Sequence, residues 1–284
     1  MTLTRMFQAV MDNALYARLQ GLLLLALVAP LIAACSSESA VETGNLERVF
    51  HLGNGTEPQT IDPHVLSGSP EARIATALFE GLVRANPHTL EIEPGVAQRW
   101  VFSSDRRSIT FHINPGARFS NGEKITAGDV VWSWHRALNP RTGNLLADYL
   151  FSVKNAEAYH RGRIDDACEV GVDALDDETL LVELEFADPY VLRKLAYIYN
   201  SVVHPETILA HGDMTSRYSK WTRPENFVGS GPFLLDGWAM QRYLRVRRND
   251  FYWDADAVAL EGIVFRPIES DSTEEKMFRS GQLH

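Results

Sequence analysis

The chain has 284 residues, of which 45% are hydrophobic and 23% are charged, a composition typical of folded globular proteins. Its formal net charge of −10 argues against a nucleic-acid-binding protein, because such proteins present a basic face to phosphates. The two cysteines, Cys35 and Cys168, form no CxxC framework, and we expect neither a metal nor a cofactor.

The first 34 residues have the pattern of a secretory signal. Arg5 and Arg18 precede an uncharged stretch, Gly21–Ala34, which is too short to cross a bilayer comfortably. A basic start followed by a short apolar run and small residues is typical of a cleaved signal peptide. We therefore predict a signal peptide over residues 1–34.

The apolar run ends in Ile-Ala-Ala-Cys, which resembles the bacterial lipobox. In that motif the cysteine is acylated and becomes the first residue of the mature protein, and two or more acyl chains give firm membrane anchoring. We predict that Cys35 is lipidated and holds the protein to a membrane in the periplasm or cell envelope, the outer membrane if the host is Gram-negative. The polar residues that follow predict a flexible tether over 35–46.

Strands and helices alternate along the rest of the chain, which predicts an α/β fold. A strand is predicted over 48–52. Ser69 and Pro70 are typical of an N-cap and a first helical position, and Ile74, Leu78 and Leu82 would share one face of that helix.

The middle of the chain contains two further patterned segments. Ile109, Phe111 and Ile113 alternate with polar residues, as in a half-buried strand. Thr126 and Asp129 have the spacing of a capping box at a helix start. That helix would bury the stripe Val130, Trp134 and Leu138.

Three strands and a short helix are predicted toward the end of the chain. Leu180, Val182, Leu184 and Phe186 fall on one face of the first strand. The short helix spans 205–210, and the other two strands begin at 234 and cover 243–248.

Several short segments, in this order and spacing, resemble one known family. They are Glu57–His64, Leu78–Leu82, Pro94–Ala97, Arg118–Gly122, Gly229–Phe233 and Asn249–Trp253. Together they are similar to the extracellular solute-binding proteins that serve oligopeptide, dipeptide and nickel ABC importers. The likeness is strongest to oligopeptide-binding members and covers residues 47–284.

The resemblance implies a two-lobed periplasmic binding protein of type 2, which closes around its ligand by a hinge. It assigns 47–79 and 205–284 to lobe I and 80–204 to an appended α/β subdomain. Arg279–His284 resemble the segment that precedes the second lobe in the family. We therefore expect that lobe to be absent from this chain, and peptide binding by this chain alone to be weak.

The family resemblance also implies a ligand and partners. The ligand would be a short peptide, held extended by backbone pairing with the protein and handed to a membrane permease with separate ATPase subunits. Ser67, Gly68 and Ser69 match the loop that pairs with the peptide, where glycine allows close approach of two main chains. The alternative role of these residues is to cap the following helix.

A second loop is also implicated by the resemblance. Gly229, Ser230 and Gly231 match a ligand-side loop near the hinge, although the glycines equally suit a tight turn. Leu146 is a departure, because it stands where oligopeptide-binding members have a ligand-facing tyrosine. Peptide selectivity is therefore expected to differ.

Other classes of protein are less well supported by the sequence. No GxSxG, HExxH or P-loop motif occurs, and the nine histidines are scattered, so we expect no enzyme. His64 and His112 are interpreted as structural histidines. Within the binding proteins, a nickel or haem carrier, or a cell-wall peptide sensor without transport, remains an alternative.

Overall fold

This computed structural model describes residues 39–217 and 219–284. Two four-stranded sheets organise this part of the chain. The strands are β1 (Val49–Gly53), β2 (Val83–Ala85), β3 (Ile92–Pro94), β4 (Ala97–Phe102), β5 (Ser108–Ile113), β6 (Val172–Ala174), β7 (Thr179–Glu183), β8 (Phe233–Ala239), β9 (Tyr243–Arg248) and β10 (Gly262–Arg266). The helices are α1 (Ala40–Glu47), α2 (Ser69–Leu78), α3 (Ala127–Leu138), α4 (Ala156–His160), α5 (Val191–Leu195), α6 (Pro205–Ala210) and α7 (Asp271–Arg279).

The first sheet has the strand order β1-β10-β9-β8. β1 and β10 are parallel, whereas the other neighbours are antiparallel. Helix α2 contacts β8. The hydrophobic core around this sheet takes its buried residues from 61–79 and from 203–265, with Trp221 and Phe79 among them.

The second sheet is antiparallel throughout, in the order β4-β5-β7-β6. Ile109, Phe111 and Ile113 of β5 are buried, as their alternation predicts. Helix α3 covers this sheet with its predicted stripe of Val130, Trp134 and Leu138.

The buried residues of the second core all lie between Leu82 and Val202. The chain thus enters this core after α2 and leaves it before α6. The lobe and subdomain boundaries implied by the resemblance remain a prediction, and this division of the cores supports them.

Helix α1 differs from the flexible tether predicted over 35–46. Ser39 accepts a hydrogen bond from the backbone N–H of Glu42 and donates its own N–H to that carboxylate, which makes a capping box. The N–H of Val41 also donates to the carbonyl of Gly281, 2.9 Å away. The Ser-x-x-Glu spacing in the sequence favours a helix start here, whereas the polar composition of the segment favours a tether. The capping hydrogen bonds decide for the helix.

Helix α2 begins and ends earlier than its pattern predicts. Gly68 is the N-cap, without a side-chain hydrogen bond, so Ser69 is the first helical residue rather than the cap. The helix ends at Leu78, and Leu82 joins the other core. The chain is extended at Phe79 because the next N–H, that of Glu80, donates to the hydroxyl of Ser230 instead of a helical carbonyl.

Strand β7 is also shorter than predicted. Leu180, Val182 and Leu184 are buried, but Phe186 is 51% exposed. The ladder with β5 ends at Glu183, and Leu184 still reaches the core, but Phe186 lies beyond the sheet and no longer faces it.

Candidate ligand-binding site

The structure places Ser67, Gly68 and Ser69 at the start of α2, where both serines are exposed and Gly68 is half-buried. Among the described residues, none accepts a hydrogen bond from the backbone N–H of Ser67 or Gly68. The carbonyl of Gly68 is used within the helix, where it accepts from Ala72. The loop therefore keeps two backbone donors without an acceptor among the described residues, as a peptide-pairing segment requires, but it also serves as the helix start.

Gly68 packs closely against the side chain of Glu71, which leaves no room for a side chain at position 68. A Cβ atom at position 68 would lie 2.2 Å from Oε2 of Glu71. The other oxygen of this carboxylate accepts a hydrogen bond from the N–H of Gln59, 3.0 Å away. Any side chain at position 68 would therefore displace Glu71 and loosen the preceding loop.

Gly229, Ser230 and Gly231 are buried at the junction between the two cores. The hydroxyl of Ser230 accepts from the N–H of Glu80 and donates to the carbonyl of Val202, at 3.0 and 2.7 Å. These bonds tie together the two places where the chain passes between the cores.

The two glycines of this loop lie against the end of α2. A Cβ at position 229 would meet the carbonyl oxygen of Leu78 at 2.4 Å, and one at position 231 would meet the amide of Phe79 at 2.5 Å. Their burial favours the tight-turn interpretation, and ligand contact by this loop remains a prediction.

A buried carboxyl group, that of Glu80, lies next to this junction. Glu80 accepts hydrogen bonds from the hydroxyl of Tyr252 and from Nε1 of Trp253, at 2.5 and 2.7 Å. Burial, partly offset by these two bonds, raises the pKa of Glu80 to about 7. The group borders a cavity of about 320 Å³ that Arg84 and Tyr197 also line.

A second buried polar group joins the loop before α2 to α3. Arg136 donates from both terminal nitrogens to the two oxygens of Asp62, at 2.9 and 2.5 Å. Its Nη1 also donates to Nδ1 of His64, so Nε2 of that ring carries the proton and donates to the carbonyl of Ser201. The expectation that His64 is a hydrogen-bonded structural residue is thus met.

The remaining sequence predictions fall on different parts of the molecule. Cys35 lies outside the described residues, so its lipidation remains a prediction. Cys168 is a free, exposed thiol. Leu146 is half-buried at the start of the short turn Ala147–Leu150. Across the described residues, we find no helix with the length and hydrophobicity needed to span a membrane.

Sequence comparison identifies the family. A sequence model of the bacterial extracellular solute-binding proteins, family 5 Middle, matches residues 91–284. The periplasmic oligopeptide-binding protein OppA of Salmonella typhimurium is 32% identical over 274 residues, which cover 93% of this chain and 47% of that protein. The probable deoxycholate-binding periplasmic protein YgiS of Escherichia coli is 33% identical, with 84% of this chain and 43% of that protein covered. The chain spans about half the length of these relatives.

Solved structures agree with the sequence comparison. Haemophilus influenzae OppA in complex with RPPGFSPFR superposes with a TM-score of 0.78 at 31% identity, covering 84% of this chain and 45% of that one. The Escherichia coli murein tripeptide binding protein MppA gives a TM-score of 0.77 at 31% identity, covering 83% and 45%. The predicted α/β fold of a periplasmic binding protein is confirmed over the part that these structures share. The chain belongs to the bacterial extracellular solute-binding proteins of family 5.

Proposed function

We propose that this chain takes part in capturing short peptides for an ABC-type importer, with Ser67–Ser69 forming part of the peptide-binding surface. The observation that carries the proposal is the pair of backbone N–H groups at Ser67 and Gly68 that find no acceptor among the described residues, at a surface loop where Ser67 is exposed and Gly68 half-buried. It is supported by the relatives, which include oligopeptide-binding and dipeptide-binding proteins. The role is one of binding and not of catalysis.

The physical basis of the proposed recognition is pairing between main chains. An extended peptide offers carbonyl acceptors along its edge, and the N–H groups of Ser67 and Gly68 are donors that point to no acceptor within the described residues. Main-chain pairing reads no side-chain identity, so this contact would accept many peptide sequences. Preference would come from side-chain pockets elsewhere, including the region around Leu146.

Nuclear magnetic resonance titration of the chain with mixed di- to pentapeptides tests the proposal, because it detects weak binding as well as strong binding. We expect the amide signals of Ser67 and Gly68 to shift, and those of the turn at Asp176–Glu178, which joins β6 to β7 of the second sheet, to stay unchanged. Shifts with deoxycholate, nickel or haem but none with peptides would contradict the peptide assignment. The deoxycholate arm is included because YgiS is among the relatives.

A matched pair of variants separates loop contact from general damage. Gly68→Val places a side chain where Glu71 now lies and blocks close approach of a peptide backbone, so the shifts should be lost. Gly162→Ala is the control, because a Cβ there meets nothing within 4 Å, although its φ of +65° makes it mildly strained. Equal peptide responses from both variants would contradict the proposed role of the loop.

We further propose that the protein is anchored in the cell envelope through lipid on Cys35 and works with permease and ATPase subunits. The support is the lipobox-like sequence and the periplasmic relatives. Expressed in its host, the wild-type chain should partition into detergent with the mass of a diacylglycerol adduct, and Cys35→Ser should not. An unmodified Cys35 in the mature protein would contradict the anchor without affecting the peptide assignment.

A further inference from the structure

We propose that Glu123, His204 and Glu206 form a binding site for a divalent transition-metal ion, independently of the peptide role. One ligand atom from each residue lies within 4.8 Å of the other two. Nε2 of His204 is 2.6 Å from Oε2 of Glu123 and 3.5 Å from Oε2 of Glu206. Two chain segments about eighty positions apart thus converge on one point in space.

The imidazole of His204 is preorganised, whereas the carboxylates can adjust. Its side chain is only 5% exposed, and the ring of Phe119 packs edge-to-face against it with centroids 4.7 Å apart. The side chains of Glu123 and Glu206 are 62% and 74% exposed. A fixed nitrogen with two mobile oxygens leaves open positions for water, as in metal sites that are not fully enclosed by protein.

The spacing suits metal–ligand bonds of about 2.1 Å, which set tetrahedral ligands roughly 3.4 Å apart. The separation between His204 and Glu206 already matches this value at 3.5 Å. Glu123 is closer because it accepts a hydrogen bond from His204 in the metal-free protein. Its exposed side chain needs to withdraw by less than about 1 Å to reach the same spacing.

The neighbours of His204 can accommodate the ring tautomer that a metal at Nε2 requires. The N–H of Thr207 donates to Nδ1 at 3.2 Å, so the metal-free ring carries its proton on Nε2. With a metal at Nε2, the ring would carry its proton on Nδ1, and that N–H would donate a hydrogen bond to the hydroxyl oxygen of Thr207, 2.8 Å away. The hydroxyl of Thr207 would then hold the ring in the metal-binding tautomer, while the backbone N–H of Thr207 loses its acceptor on the ring and bonds to water instead.

The charge around the site favours a cation. Among the described residues, neither Glu123 nor Glu206 forms an ion pair with lysine or arginine. Asp129, whose carboxylate accepts hydrogen bonds from Thr126, is a further acidic residue near the site. A dication would offset this negative charge.

The donor set indicates the kind of metal. One imidazole nitrogen with two carboxylate oxygens suits zinc, nickel or cobalt, whereas magnesium and calcium prefer oxygen ligands alone. Glu123 lies in the hairpin whose Phe119 and Ile125 belong to one core, and α6 inserts Ile208 into the other. A bound metal would therefore link the two cores and stabilise their junction.

Calorimetric titration of the full chain with Zn²⁺ or Ni²⁺ tests the site, with Cys35 and Cys168 replaced by serine to remove competing thiols. We expect one ion per chain, a rise in Tm with metal, and affinity at least about tenfold lower in Glu123→Gln and in Glu206→Gln. Both glutamates are exposed, so these variants should fold normally. Glu225→Gln, an exposed glutamate outside the cluster, should match the parent.

Two results would overturn the site. One is the absence of both heat and a Tm shift with Zn²⁺ and Ni²⁺ in the parent chain. The other is an affinity in Glu123→Gln and Glu206→Gln equal to that of Glu225→Gln, which would place the bound ion elsewhere. A response to Mg²⁺ or Ca²⁺ as strong as that to Zn²⁺ would contradict the assignment to a transition metal.

Discussion

Arg136 and Asp62 form a bidentate ion pair in which both side chains are almost completely inaccessible to solvent. Burial alone would raise the pKa of Asp62, but the charge and hydrogen bonds of Arg136, together with smaller effects of His64, outweigh burial and hold the pKa below its usual value. The pair joins the loop before α2 to α3, 74 positions away. It therefore constrains how the two cores meet.

Removing one partner of this pair should be strongly destabilising. Arg136→Met leaves the carboxylate of Asp62 buried without a counter-charge, and we expect a loss of about 3–5 kcal/mol in the free energy of unfolding. Arg161→Met is the control, because its ion pair with Glu157 is exposed and should contribute less than about 1 kcal/mol. Urea denaturation measures both, and similar losses in the two variants would contradict the structural role of the pair.

At the scale of elements, two helices begin with the same capping motif but differ in what they bury. Thr126 and Asp129 form a complete capping box on α3, as their spacing predicts, and that helix buries much of one face. Ser39 and Glu42 form an equivalent box on α1, where Gly44 is the one buried residue. The stability of α3 is therefore coupled to the core, whereas that of α1 depends on its capping box and on surface contacts such as the bond from Val41 to Gly281.

This difference predicts distinct effects of the same substitution. Thr126→Ala should lower the global free energy of unfolding by about 1 kcal/mol, because the cap is lost from a helix that is part of the core. Ser39→Ala should leave the global value nearly unchanged and increase amide hydrogen exchange within α1 alone. Equal global losses from the two variants would show that α1 is integrated into the fold more tightly than its burial indicates.

At the scale of the whole molecule, two buried groups give stability opposite dependences on pH. Burial, and to a smaller extent the positive charge of Arg136, lowers the pKa of His64 from 6.5 to about 4. Between these values the unfolded chain binds a proton that the folded chain does not, so stability falls as pH falls. The pKa of Glu80 is raised from 4.5 to about 7, so the folded chain holds a proton that the unfolded chain releases, and stability falls as pH rises.

Glu80→Gln should remove the loss of stability that Glu80 causes as pH rises. Glutamine can still accept a hydrogen bond from Nε1 of Trp253 and can donate one to the hydroxyl of Tyr252, so it resembles the protonated form of Glu80. Relative to the parent, the variant should gain stability between pH 5 and pH 8, by up to roughly 3 kcal/mol. Urea unfolding at pH 5, 6.5 and 8 measures the difference, with exposed Glu157→Gln as control. A difference that does not change with pH would show that Glu80 is ionised throughout this range.

Local pattern in the sequence was sufficient for several elements. The helix 205–210 and the strand 243–248 have the predicted bounds, and α3 has both its predicted cap and its buried stripe. These features depend on residues within a few positions of each other, whose periodicity reports which side faces the core. The family was identifiable for a related reason, because its short segments recur in a set order.

The contacts that bear on function could not be predicted in this way. Glu80 meets Tyr252 across 172 positions, and Glu123 meets His204 across 81. Hydrophobic periodicity indicates whether a residue is buried or exposed, but not which distant residue lies opposite it. For the same reason it does not predict that α2 ends at Leu78, where the N–H of Glu80 bonds to the distant Ser230. The sequence by itself determined the family, the α/β class and the local elements. Only the tertiary structure decided which polar groups converge, because closing two cores around one junction brings together side chains whose spacing along the chain carries no signal.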